Sequence, residues 1–187
     1  TDTSSLHTTQ MSVDNALTPI TEAIRARVGQ PAVSSVTDEI GGHRYWMVAY
    51  AQTAIMVKLF RDSEPVPIST TTITGLEGGS LPGQVRDQPS VETDGLRFAV
   101  GYVLTTGTAP LLQSRVYVTT VHMVGTFGVL GVTERMLSLS GSSAAEPRVT
   151  SIHTGGGSCA RYAAVWSNRV GFLLPSDVSG ALFDGIG

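Results

Sequence analysis

The chain has 187 residues, of which 41% are hydrophobic, and carries a net charge of −3 from 12 basic and 15 acidic side chains. That length can bury a substantial core, and one domain or one repeat array is the economical expectation. The charge balance is too weak and too negative for a nucleic-acid surface, and no apolar run approaches the roughly 18–20 residues of a bilayer-spanning helix, so neither a nucleic-acid partner nor a membrane span is expected.

Thr, Ser and Gly must cover much of the surface, and they suit turns and strand faces better than helices. With Lys58 as the single lysine, the composition points towards an extracellular or cell-envelope setting. Cys159 is the only cysteine, so no intrachain disulfide can form. It precedes an apolar strand and reads as a buried thiol.

In chain order, residues 1–12 read as a flexible leader, and 13–187 as a single repeat domain. Within Val13 to Val28, Ala16, Ile20, Ala23, Ile24 and Arg27 have roughly helical spacing. The same segment sits where a fourth strand would precede the first repeat, and a strand over 20–28 is the preferred reading. It would complete the last unit by a circular offset.

The repeat begins at Pro31-Ala32-Val33 and returns at Pro89-Ser90-Val91 and Pro147-Arg148-Val149, both intervals being 58 residues. Each proline follows a polar residue, namely Gln30, Gln88 or Glu146. Equal intervals followed by the same later features make a true repeat the better explanation than chance, with units at about 31–88, 89–146 and 147–187. Gly- or Asp-rich turns come next, at residues 37–42, 93–95 and 154–157, supplying the positive φ that tight hairpins need.

An aromatic-bracketed strand follows each turn: Trp46 to Tyr50, Phe98 to Tyr102 and Tyr162 to Trp166, each preceded by an arginine, Arg44, Arg97 or Arg161. Period-two reading gives every one a bulky face, such as Phe98, Val100 and Tyr102, and a generally small one, such as Ala99 and Gly101. Neither face is polar, so these strands should be covered on both sides by stacked sheets. Third strands are expected at Ile55–Phe60 and Arg115–Val121, and more polar fourth strands at Ile68–Ile73 and Val132–Leu139. In the last unit, Arg169 to Leu174 reads as an abbreviated third strand and Ala181 to Ile186 as a last strand or closing segment.

The expected fold is therefore all-β, about three four-stranded meanders. The pattern resembles blades of a β-propeller, in particular the irregular blades of bacterial extracellular repeat proteins. That resemblance implies sheets stacked around an axis and an end face used for binding, without choosing a ligand. Closed propellers need about 4–8 blades, so three units imply a partial array, completed by a larger parent chain or by self-association into an oligomer. A β-trefoil and a β-sandwich are the rival architectures.

The candidate ligand-binding residues are Arg44, Arg97 and Arg161, retained in all three units; Trp46 and Trp166, a potential carbohydrate platform; and His43 and His153, in related stretches before the central strand. For each group the competing role is structural: inter-unit pairing for the arginines, core packing for the tryptophans, surface turns for the histidines. Asp38 and Asp94 recur in the hairpin and are weak calcium candidates beside a turn-capping role. No zinc or iron spacing, nucleophile elbow or phosphate loop is present, and no cofactor is expected. The leading expectation is non-enzymatic binding or structural recognition of a protein or carbohydrate. The alternatives are a propeller-type hydrolase or lyase with a site assembled from distant loops, and a self-assembling structural module.

Overall fold

The computed structural model describes residues 6–11, 17–22, 31–52, 54–73, 84–107, 112–124, 129–138, 143–152, 161–169 and 177–184. Every regular element in them is a β-strand. β1 (Leu6–Met11) and β2 (Leu17–Glu22) form an antiparallel two-stranded sheet of their own. The first sheet is a meander of β3 (Ala32–Val33), β4 (Tyr45–Ala51), β5 (Ile55–Arg61) and β6 (Ser69–Ile73). The second has the same order in β7 (Val85–Thr93), β8 (Phe98–Thr106), β9 (Gln113–Val124) and β10 (Val129–Met136). The third joins β11 (Ser143–Ile152), β12 (Arg161–Arg169) and β13 (Asp177–Asp184).

All neighbouring strands are antiparallel. The 58-residue interval thus becomes one sheet per unit: the Pro-x-Val element lies at or in the first strand, and the aromatic segment forms the second. β-branched and aromatic residues fill the pleated surfaces of β4, β5, β8 and β9, where such side chains pack best.

Pro89 and Pro147 sit inside strands because the chain bulges around them. Between Asp87 and Ser90, and again between Ala145 and Arg148, the strand advances one residue more than its partner. The preceding Gln88 and Glu146 take φ of 55° and 53°. A bulge removes the ladder position at which a proline would lack its donor, which reconciles the proline with the strand.

The third unit differs from its sequence reading. The strand beside β12 is Asp177–Asp184 and not Arg169 to Leu174, of which 170–174 lie outside the described residues. Its alternation explains the choice: Phe183 and Ala181 lie opposite Tyr162 and Ala164, so β13 adds to the packed face of β12. Near the start, β2 is a strand and not a helix. It begins before Ile20 and pairs with β1, whose residues fall within the expected leader, while residues 23–28 lie outside the described set.

Two cores separate the three sheets. Met47, Ala49, Ile55, Val57 and Leu59 of the first sheet pack with Val91, Phe98, Val100, Tyr102 and Tyr117 of the second. Ala99, Val103, Val116 and Val118, from the other face of the second sheet, pack with Val149, Tyr162, Ala164, Trp166 and Phe183 of the third. The stacking is directional: each sheet offers the small face of its aromatic strand to the bulky face of the next. Gly101 shows why smallness matters, because a methyl group there would lie 2.6 Å from Val149 Cγ2. Burial of this kind contributes roughly 25 cal/mol per Å² of apolar surface.

Candidate binding surfaces

At the turn end of the sheets, the recurring polar residues tie the backbone together. Asp94 accepts the amides of Leu96 and Arg97 at 2.9 and 2.7 Å, closing the β7–β8 turn in which Gly95 has φ 96°. The first-unit turn touches it, since the Asp38 amide donates to the Gly95 carbonyl at 2.9 Å. At φ 96° a side chain would be strained at Gly95, and a Cβ there would lie 2.5 Å from the Asp38 carboxylate, which would have to move aside. Asp38 and Asp94 therefore meet across the first and second sheets through their turns. Among the described residues, no three His, Cys, Asp or Glu gather so as to hold a metal ion.

Arg97 contributes through its main chain: its carbonyl accepts from Thr93 Oγ1 at 2.7 Å and from the Tyr162 hydroxyl of the third sheet at 3.1 Å. Burial, followed by the charge of Asp94, pushes the Tyr162 phenol above its ordinary value of 10.0. Arg44 likewise uses its main chain, its amide donating to Asp62 Oδ1 at 2.9 Å and its carbonyl accepting the Asp62 amide at 2.8 Å. Arg161 opens β12 opposite Ile152 and Asp184.

Sequence reasoning missed Asp62. It turns the chain out of β5 with φ 48°, lies 2.7 Å from His43 Nδ1, and offers its carbonyl to Trp46 Nε1 at 3.2 Å. The Arg44 amide and then His43 hold its carboxyl below the usual 3.8. The signal was the register, since Tyr45 opposite Arg61 brings the residues just outside both strand ends together. His153 lies outside the described residues, as does Cys159.

Both tryptophans pack. Trp46 stacks on Phe60 at 4.1 Å between ring centroids, beside buried Val48 and Tyr50 on the outer face of the first sheet. The single lysine, Lys58, lies on the same face, 5.9 Å from the Tyr50 ring centroid, and burial lowers its pKa. Trp166 is buried between the second and third sheets.

The contrasting surface is the outer face of the third sheet. Register places Thr150, Ala163 and Leu182 in one row, Arg148, Val165 and Gly180 in the next, and Ser167 opposite Val178 in a third. Val178 is 81% exposed, Leu182 72% and Val165 46%. Exposed Arg148, Asp177 and Asp184 border this aliphatic surface. A different feature, a cleft of about 90 Å³ lined by Gln88, Pro89, Glu146, Pro147 and Arg148, marks where the two bulges meet. It is far smaller than the roughly 300 Å³ at which small-molecule pockets begin. The chain matches no family model, no curated protein and no solved structure.

Proposed function

We propose that this chain is a non-enzymatic recognition or structural module of an extracellular or cell-envelope protein, built from propeller-type blades, and that its binding surface is the outer face of the third sheet. The observation that carries this reading is the exposure of Val178, Leu182 and Val165 together on one sheet face. Contiguous apolar surface with a polar rim is characteristic of protein interaction sites. A protein partner fits it better than a carbohydrate, because sugar platforms use open aromatic rings whereas Trp46 and Trp166 are engaged in packing. The blade assignment draws support from the meander order and the directional stacking of sheets. The scarcity of lysine and abundance of Thr, Ser and Gly support the setting.

The test uses an environment-sensitive hydrophobic dye at submicromolar protein. The face should light the dye, and Val178→Glu with Leu182→Glu should remove most of that signal while the far-ultraviolet circular dichroism stays unchanged. Full dye binding by the folded double variant would move the binding surface elsewhere.

A further inference from the structure

We infer that the two ends of the stack are halves of one interface, so that the chain associates head to tail with a second copy of itself. The inference rests on the binding surface just proposed and names its occupant.

The interface already occurs twice within the chain. At the junction of the first and second sheets, Val91 of the Pro-x-Val element is 5% exposed and packs in the same core as Ala49 on the small face of β4. At the next junction Val149 is 8% exposed and packs against Gly101 on the small face of β8. Polar ties accompany both contacts. Ser35 donates to the Glu92 carboxylate at the first junction; at the second, the Val149 amide donates to Ser90 Oγ at 3.0 Å and the Glu146 amide to Gln88 Oε1 at 2.6 Å. The valine is the projecting part and the small face the receiving part.

One valine edge and one small face are left exposed. Val33, the first-unit counterpart of Val91 and Val149, is 58% exposed, and Val36 beyond it is also exposed. Pairing of Val33 with Val48 directs it away from the second sheet. At the other end, Ala163, Val165 and Ser167 occupy the positions of Ala99, Gly101 and Val103, with Val178 and Leu182 beside them. Val48, Tyr50 and Phe60, on the same face of the first sheet as Val33, are already buried within the chain, so what a second copy offers is its exposed Pro31–Val33 edge and not the whole bulky face. The projecting and receiving parts lie at opposite ends, so the contact is heterologous. It closes into a ring when the rotation between copies permits and otherwise propagates as a filament.

Sedimentation velocity of the whole chain, over a concentration series, tests this. Wild type should gain mass with concentration, whereas Val33→Arg and Leu182→Glu should each weaken association roughly tenfold or more. Both positions are exposed, and circular dichroism checks that each variant folds; Val178→Lys repeats the second measurement at a neighbouring site. An equimolar mixture of Val33→Arg and Leu182→Glu should form a dimer, since each supplies the half that the other lacks. A wild type that stays monomeric throughout overturns the inference, and so does association insensitive to Val33→Arg, which would mean a contact between like faces. Either result leaves the dye measurement standing, so failure of the second-copy assignment is separable from failure of the surface assignment.

Discussion

Strands β8 and β12 hold the same place in their sheets and meet different surroundings. On β8, Ala99, Gly101 and Val103 are sealed beneath the third sheet; on β12, Val165 is open and Ala163 and Ser167 are only partly buried. The bulky faces behave alike in both strands, since Phe98 and Tyr102 are buried against the first sheet and Tyr162 and Trp166 against the second. A strand of this repeat brings its aromatic surface to the preceding sheet and depends on the following sheet to cover its small surface. Stability is therefore distributed by position in the stack.

The largest effect belongs to the sealed core. Phe98→Ala empties a fully buried site between two sheets and should destabilise the protein by about 3–5 kcal/mol, measured by urea unfolding. Gly101→Val comes next. Its Cβ already falls 2.6 Å from Val149, so the second and third sheets must separate or their side chains leave their rotamers, at about 1–3 kcal/mol. A variant as stable as wild type would mean that the two sheets are not pressed together at Gly101.

Tyr162→Phe examines the same junction through its polar tie. Below pH 10 the variant lacks one hydrogen bond to the Arg97 carbonyl, a loss of about 0.5–1.5 kcal/mol. The folded phenol titrates above its unfolded value of 10.0, so the stability it contributes is complete below that pH and is lost as pH rises above it. Wild type should consequently lose melting temperature faster than the variant on going from pH 8 to above pH 10. Tyr50, whose phenol burial also raises, is present in both proteins and leaves the difference to Tyr162. A gap that stayed constant with pH would separate Tyr162 from any buried titration.

Much of this arrangement is legible in the residues. The interval between Pro31, Pro89 and Pro147 located three sheets, and the alternation of Phe98, Val100 and Tyr102 with Ala99 and Gly101 told which side chains share a face. What one strand's pattern did not carry was the direction of stacking, because the partner of a small face is set by a strand some 58 residues away. The bulges were written only as a polar residue before proline; the positive φ of Gln88 and Glu146 emerges when register must be kept on both sides. The third strand of the last unit lies at Asp177–Asp184 and not at Arg169 to Leu174; it takes in the start of the closing strand read at Ala181 to Ile186, because the Val178, Gly180 and Leu182 alternation keeps register with β12. The arginines, tryptophans and aspartates were visible as repeated types, whereas the exposed Val165, Val178 and Leu182 of the third sheet were not singled out. Asp62 was hidden, since its importance comes from lying across a hairpin from His43.

The smallest expected change tests the comparison most directly. Val165 and Gly101 are equivalent positions, so a polar, β-branched substitution at Val165 probes the same point of the repeat without the covering sheet. Val165→Thr preserves the branched shape and strand propensity while replacing a methyl by a hydroxyl. On a half-exposed face that hydroxyl keeps its water, and unfolding of the dilute monomer should shift by no more than about 0.5 kcal/mol. Covered as Gly101 is covered, the hydroxyl would be desolvated without a partner, and the loss would rise to about 1–3 kcal/mol. The two values should appear in the same protein at different concentrations if a second copy seals the face. A threonine variant neutral when dilute but impaired in association would place the difference between β8 and β12 in what lies above each strand, and not in the strands themselves.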